Sequence, residues 1–489
     1  MNRLPILAAA VVALAVLGAD LAQSGSGQAD LPVKFIHGTV TGAGFTTAYP
    51  TAIAYGPDGR LYVADWAGRL QALTLDPDSK AVIDIELVAS DAELQEVFGI
   101  AFDPTDTSSP PPIYVTNTLS GLFGAGPPGG YPGKVTKIYG AGYAIKSNII
   151  SGLPIGEHGH QSNGLAFRGD GTLYIAQGGT TNAGLPDWGS PRPEVPLSGA
   201  LLVANPSAPG FDGNLTYDPP DTYDTTVDQI SGDVAAYAAG FRNPYDLVIH
   251  SNGRIYVTDN GPNLGDGPAS TGCDSETTDP NALDELNLVE EGNYYGHPNR
   301  NRGRLDPRQC TYHSPEEGSG PDWSGPLAIL PASSNGLVEY TVGTFGGKLQ
   351  GNLFYVGWVD GVVGRIVLSP DGTAVVSHSI FDTGHDHPLD ITMGDDGTLY
   401  IAEFGSSNIV FLKPEESGAP PVDTDGDGCK DKKELSLDPM LGGRRDRTNF
   451  WDFFDTPDPN ANPQRDRAVT VADIFAVAAQ FGHSCAAPP

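Results

Sequence analysis

The chain reads as an all-β protein, a six-bladed β-propeller followed by a small, partly helical C-terminal module. Two observations carry the propeller: a hairpin phrase written at least five times, and a composition of 63 Gly and 42 Pro that supplies the turns many short strands need. The phrase is A-I-A-Y-G-P-D-G-R-L-Y-V-A-D at residues 52–65, and G-I-A-F-D-P with I-Y-V-T-N, split by an insertion, at 99–117. It returns at 164–177, 246–259 and 390–403. Each copy is an apolar strand, a turn of Gly, Asp or Asn that supplies positive φ, and a second strand centred on Tyr62, Tyr114, Tyr174, Tyr256 or Tyr400. Hairpins repeated with little helical signal between them stack radially, each forming the inner half of a blade. The segment G-N-L-F-Y-V-G-W-V-D-G-V-V-G-R-I-V-L (351–368) fills the gap between Tyr256 and Tyr400 and brings the count to six.

The elements follow in order. Arg3 and the apolar run 6–17 form an export signal, because the run is shorter than the about 20 residues a membrane span needs; cleavage is expected near Ala22. No other segment is long and apolar enough to span, so none is expected after signal removal. Residues 23–30 are a loose polar segment, and 31–413 the propeller. Insertions at 180–233 and 264–280 exceed blade turns, and loops of that length are usually functional or disordered. The stretch P-E-E-S-G-A-P-P-V (414–422) is a linker, and 423–489 the terminal module.

The four cysteines fall into two local pairs, Cys273 with Cys310 and Cys429 with Cys485, each closing a loop inside its own domain. That usage suits an oxidising compartment, hence a secreted or periplasmic/extracellular protein. Acidic residues number 60 against 27 basic ones, a net charge of −33 that repels nucleic acid and anionic membranes alike.

The most specific local motif is D-T-D-G-D-G-C-K-D-K-K-E, which matches the twelve-residue calcium loop position by position. Asp423, Asp425, Asp427, the Cys429 carbonyl, Asp431 and the bidentate Glu434 are the expected ligands, with Gly428 at the sharp turn. A weaker second loop would use Asn462, Gln464, Asp466, the Ala468 carbonyl, Thr470 and Asp473; it lacks the turn glycine and carries fewer charges. The apolar spacing of V-A-D-I-F-A-V-A-A-Q-F-G then predicts a helix stopped at Gly482. Two loops and a helix resemble an EF-hand or dockerin-type module, which implies either a protein docking partner or a calcium-rigidified cap.

The chemistry-bearing residues precede and follow the blade hairpins. G-E-H-G-H-Q-S-N-G places His158 and His160 before one hairpin, and G-F-R-N-P places Arg242 and Asn243 before the next. D-N-G-P-N follows that strand pair, and D-E-L-N with G-N-Y-Y-G-H-P follows the second insertion. Loops at one end of every blade converge on the axis, so a neutral His can take a proton where an Arg stabilises developing negative charge.

In that order the motifs resemble the glucose/sorbosone dehydrogenase family, six-bladed propellers whose active members oxidise sugars with pyrroloquinoline quinone. The resemblance spans residues 31–413. It implies His160 as general base toward a sugar hydroxyl, and Gln161, Arg242, Asn243 and Asn260 against the quinone cofactor. It implies calcium on the carbonyls of Gly261 and Pro262, with Asp284 and Glu285 closing that region or holding an ion. Two departures stand out. Where active members carry an Asp to orient the imidazole, this chain reads A-Q-G-G-T-T-N, with Gly178, Gly179 and Asn182. Where they carry R-x-R for the cofactor's carboxylates, it reads H-D-H-P-L-D, with His387 and Leu389, and Asp360 stands where a Lys would help. Lys134, Lys137, Lys348 and Arg365 are the candidate replacements. Alternatives are a non-catalytic carbohydrate- or protein-binding propeller and a calcium-dependent lactonase-type hydrolase, and His385 with His387 would face one way on a strand as a weak metal pair.

Overall fold

The computed structural model describes residues 33–415, apart from 91–93, 95, 119–132, 157–159, 187–192, 219–227, 273–274, 300–306, 319 and 321–322. The export signal, the segment from 416 onward with both calcium loops, His158, and Cys273, Cys429 and Cys485 lie outside the described residues. Cys310, the one described cysteine, is buried and not free.

Six four-stranded antiparallel sheets form the blades. Blade 1 runs Pro50–Tyr55, Leu61–Asp65, Leu70–Leu75 and Val82–Ala89; blade 2 runs Gly99–Ala101, Ile113–Asn117, Gly133–Tyr139 and Ile145–Leu153. Blade 3 holds Ser162–Phe167, Leu173–Gln177, Ala200–Ala204 and Val234–Ala239, and blade 4 holds Pro244–Ile249, Ile255–Asp259, Asp284–Val289 and Ala328–Leu330. Blade 5 is Ser334–Tyr340, Asn352–Gly357, Val362–Leu368 and Val375–Thr383. Blade 6 takes Pro388–Met393, Leu399–Glu403 and Asn408–Pro414, and its fourth strand is Phe35–Thr39 from the other end of the domain. That pairing closes the ring, so no blade edge is left between the first and last repeats.

The repeated phrase forms the inner strand pair of five blades, and its turn glycines adopt positive φ, as at Gly59 (76°) and Gly253 (84°). Asp or Asn one residue earlier accepts the amide that follows, as in Arg60 N–H to Asp58 Oδ1 at 3.3 Å and Thr172 N–H to Asp170 Oδ1 at 2.9 Å. Blade 5 corrects the expectation for 351–368: that segment supplies the second and third strands, and the inner strand is Ser334–Tyr340. A short 3-10 turn at Thr344–Gly347 lengthens the connection between its first two strands and breaks the phrase. The insertion at 180–233 is likewise not one loop, because the third strand of blade 3, Ala200–Ala204, lies within it.

Burial follows the radial plan. Six apolar clusters each join two neighbouring blades, such as Tyr62, Leu70 and Val88 with Ile113, Val115 and Ile138 between blades 1 and 2. Another joins Ile53, Leu61 and Val63 to Tyr400 and Ile409 between blades 1 and 6. Each fully buried Leu, Ile or Val contributes about 1.5–3 kcal/mol, so every inter-blade seam is a core of its own. Polar ties reinforce the seams near the axis: Asp390 Oδ2 accepts the Ile53 amide at 2.7 Å, and Asp246 Oδ2 the Leu337 amide at 2.7 Å. Gly164 packs so closely on Asp246 that a Cβ would meet its Oδ1 at 2.2 Å.

Candidate active site

Register places the starts of the inner strands beside the ends of the second strands: Pro50 pairs with Asp65, Ser162 with Gln177, Pro244 with Asp259 and Pro388 with Glu403. This end of the ring, the upper face, collects the loops that differ between repeats. Blades 3 and 4 bring together His160, Arg242, Asn243 and Asn260, which span a hundred positions of the chain.

His160 is buried, and its Nδ1 lies 3.2 Å from the carbonyl oxygen of Gly179. A carbonyl only accepts, so Nδ1 carries a proton. The Gly-Gly pair makes this contact sterically possible. A Cβ on Gly178 would meet the His160 backbone and Cβ at 2.9 Å, and one on Gly179 would meet His297 Nε2 at 2.8 Å. The glycines that replace an orienting Asp thus bring a backbone carbonyl to the imidazole. Asn182, the remaining polar residue of that stretch, turns instead to Arg242: its Oδ1 accepts from Nη2 at 3.0 Å and Nε at 3.2 Å, and its carbonyl accepts from Nε at 3.1 Å.

Arg242 is buried, and its Nη1 also donates to the Asn260 carbonyl at 3.3 Å. Burial lowers its pKa, opposed by the carboxylates of Asp259 and Asp284. Asp259 clamps the Arg-Asn turn: its Oδ2 accepts the Arg242 amide at 3.1 Å and its Oδ1 the Asn243 amide at 2.8 Å. Asn243 Nδ2 donates to Asn260 Oδ1 at 3.1 Å, and Asn243 Oδ1 accepts from Asn163 Nδ2 at 2.9 Å. Gln161 points away from this group, to Glu96 Oε2 at 2.9 Å. Asn163, Asn182 and Asp259 all stood inside quoted motifs, but nothing in their spacing says which neighbour each holds.

The segment Asn260, Gly261 and Pro262 is tied down by Asp284, whose oxygens accept from Asn260 Nδ2 at 2.7 Å, the Gly261 amide at 3.0 Å and the Ser334 amide at 2.6 Å. The Pro262 carbonyl accepts from Ala282 N–H at 3.2 Å. Glu285 is buried and bonded by Asn287 Nδ2 at 2.9 Å. Desolvation raises Asp259 to about 7 and Asp284 to about 6, and burial beside Asp259 raises Glu285 well above the usual range. The buried hydroxyls of Tyr245 and Tyr312 have no hydrogen-bond partner among the described residues.

The other half of the upper face is aromatic. His387 lies against Trp358 (4.8 Å between centroids), Trp358 against Phe404 (5.3 Å), and Phe404 against Tyr49 (5.0 Å) and Trp66 (6.2 Å). Trp66 meets Phe98 at 6.0 Å, and Phe98 meets Tyr245 at 6.4 Å, completing an arc of rings from blade 5 to blade 4. Carboxylates edge this arc and hold its cations. Arg69 is engaged by Asp65 at 2.9 Å, and His385 lies between Glu403 at 2.9 Å and Asp382 at 3.1 Å. Burial opposes the His385 charge, but bonds to Asp382 and Glu403 outweigh it and raise the pKa to about 9. His385 and His387 precede the strand Pro388–Met393 and do not alternate along it: His387 is exposed and bonds Asp386 at 2.6 Å. Of the four proposed replacement cations, Lys137 bonds Asp106 at the opposite end of blade 2, and Arg365 bonds Asn352 at the opposite end of blade 5. Lys348 precedes Asn352 at that same lower end. Lys134, in register with Asn117, is the one at the upper face.

A sequence profile described as Glucose / Sorbosone dehydrogenase matches residues 47–410. Quinoprotein glucose dehydrogenase B of Acinetobacter calcoaceticus is 25% identical over 270 residues, covering 51% of this chain and 50% of that one. The chain therefore spans about half the length of that curated relative. An oxidoreductase of Thermus thermophilus described as a glucose dehydrogenase superposes with a TM-score of 0.52 at 20% identity, over 77% of this chain and 99% of that chain. The apo soluble aldose sugar dehydrogenase of Escherichia coli does so with a TM-score of 0.52 at 17% identity, over 78% and 99%. At such identities these two structures speak for the six-bladed fold alone. The profile, spanning nearly the whole propeller, decides the family: the chain belongs to the glucose/sorbosone dehydrogenases.

Proposed function

We propose that this protein is an exported oxidoreductase acting on a CH–OH group of an aldose-type sugar, with pyrroloquinoline quinone and calcium as cofactors. The observation that carries the reading is the buried imidazole of His160, with a proton on Nδ1, on the same face as the Arg242–Asn243–Asn260 cluster. His160 Nε2 takes the proton of the sugar hydroxyl. Arg242, Asn243 and Asn260 hold the quinone oxygens, with Gln161 supporting the loop of His160. The carbonyls of Gly261 and Pro262, with Glu285 beside them, are the calcium ligands proposed. When bound, the cofactor supplies the hydride acceptor.

The donor set fits the quinone end of such a cofactor. A guanidinium and two amides converge there, bonded to Asn182, Asn260 and Asp284, and beside Arg242 the buried hydroxyl of Tyr312 has no hydrogen-bond partner among the described residues. Its carboxylate end meets a poorer set, since Arg69 and His385 are already engaged by acids. Charge-assisted bonds are worth about 1.5–3 kcal/mol each, so the expected affinity is orders of magnitude below that of a site with unshared cations. The aromatic arc suits the C–H faces of a neutral sugar ring, and the acidic rim suits its hydroxyls. That arc also favours a second reading, a carbohydrate-binding propeller without catalysis.

The N-terminal apolar run supports export; among the described residues no helix is long and apolar enough to cross a membrane. The Asp423–Glu434 motif supports a calcium module that docks a protein partner or caps the chain. The deciding experiment titrates calcium-loaded protein with pyrroloquinoline quinone, then adds aldose and an artificial electron acceptor. Saturable binding with dye reduction that is lost in His160→Ala supports the dehydrogenase. Absence of binding at high micromolar cofactor, with retained binding of neutral glycans, supports the second reading.

A further inference from the structure

The segment that follows the second strand of blade 3 touches both proposed functional side chains and a third, fully buried group that neither motif includes. Glu194 is 0% exposed, at the far end of the excursion that begins at Thr180. Its Oε2 accepts the Thr180 amide at 2.9 Å and the Ser198 hydroxyl at 2.6 Å. Its Oε1 accepts the Thr181 amide at 2.8 Å, the Thr181 hydroxyl at 2.7 Å and His297 Nε2 at 2.7 Å. Burial works against its charge, but His297, Ser198 and Thr181 outweigh that and lower its pKa, and the donors converging on both oxygens are those a carboxylate takes. Removing such a group from water is justified only by dense hydrogen bonding, which is present.

The Thr180 amide that Glu194 accepts belongs to the same peptide unit as the Gly179 carbonyl. That carbonyl is the one 3.2 Å from His160 Nδ1. One planar peptide group therefore bridges the imidazole on its oxygen side and a buried carboxylate on its nitrogen side, and hydrogen bonds in series polarise one another. We propose that Glu194 is a positioning residue for His160, acting through the Gly179–Thr180 peptide: it draws on the N–H, makes the carbonyl a stronger acceptor, holds the Nδ1–H tautomer and raises the basicity of Nε2. The carboxylate expected beside the imidazole is thus displaced by one peptide unit, with His297 seated behind it. The catalytic part of this role rests on the dehydrogenase reading; the effect on the imidazole does not. Among the described residues, the other ionisable groups packed around these loops include Glu96, bonded to Gln161, and Arg242 with Asp259 behind it.

The test is the NMR titration of the His160 imidazole in the intact protein, assigned by its disappearance in His160→Gln. In the wild type we expect the Nδ1–H tautomer, and the Thr180 amide proton should titrate with the same midpoint. In Glu194→Gln the midpoint should fall by about one pH unit, the scale of one charge acting at short range in a medium of effective dielectric about 20. The acidic limb of kcat/KM should move to lower pH by the same amount, with kcat reduced and KM little changed. A Glu194→Gln protein that melts earlier yet leaves the midpoint and tautomer in place overturns the proposal and leaves Glu194 a structural clamp. If that variant does not fold, a wild-type Thr180 amide indifferent to the His160 midpoint overturns it equally. A midpoint that moves in a protein without sugar oxidation keeps the relay and sinks the dehydrogenase; oxidation with an immobile midpoint does the reverse.

Discussion

The two halves of the upper face are built on the same hairpins and yet present opposite chemistry. Over blades 3 and 4 the loops carry a buried base, a buried guanidinium and three clamping amides, each tied to backbone or to a neighbour. Over blades 5, 6 and 1 they carry half-exposed rings and acids that already hold the nearby cations. The polar half is rigid because most of its donors and acceptors are satisfied within the protein, so it orients a reacting group. The aromatic half offers area without direction, which suits recognition of a ring. The repeat supplies the scaffold, and departures from the repeat supply the function.

The comparison can be broken hardest at His160. His160→Ala should lower sugar oxidation by about 10²–10⁴-fold, the usual worth of a general base, with the melting temperature unchanged; steady-state kinetics with an artificial acceptor measure it. Loss of activity through unfolding instead would show His160 to be a structural histidine.

Asn182→Ala removes the acceptor that fixes Arg242. Bonds to a charged group are worth about 1.5–3 kcal/mol, so binding of the quinone should weaken by roughly ten- to a hundredfold by calorimetry. An unchanged affinity would mean that Arg242 does not contact the cofactor.

On the aromatic half, Trp358→Ala or Phe404→Ala should raise KM for sugar about two- to tenfold and leave kcat alone, as ring packing is worth about 0.5–1.5 kcal/mol beyond area. A fall in kcat with constant KM would assign these rings to the reacting centre and erase the division between the halves.

The smallest effect is in stability against pH. Asp259 and Asp284 are raised to about 7 and about 6, so the folded state holds protons the unfolded chain has already released. Their contribution is complete near pH 4, is lost as pH rises through 6 and 7, and is absent above that. Glu194, lowered to about 2, contributes nothing to that window, because its stabilisation is lost only as pH falls below the usual carboxylate range. Thermal melts of the calcium-free protein should fall by a few degrees between pH 5 and 7.5, and Asp284→Asn should flatten the part below about pH 6. A flat profile in the parent protein would place these carboxyls in contact with water.

How much of this was legible in the chain varies with the range of the interaction. The blade hairpins were readable because a strand, a Gly or Asn turn and a Tyr-centred strand are local, and five of the six inner pairs fell where the phrase predicted. Blade 5 misled because its connection at Thr344–Gly347 interrupts the phrase. His160, Arg242 and Asn243 were readable as chemistry-bearing types at loop positions, but their partners were not. The A-Q-G-G-T-T-N stretch looked like the loss of an orienting group, since a backbone carbonyl leaves no mark in a sequence.

By itself the sequence determined the family, the propeller and the face on which its loops gather, because these follow from short-range propensity repeated in phase. Tertiary structure alone decided that Gly179 serves His160, that Asn182 serves Arg242 and that Glu194 stands behind them. Those contacts join residues 19, 60 and 14 positions apart. They exist only once blade 3 has folded and packed on blade 4, and burial has stripped the water that would otherwise satisfy the same groups.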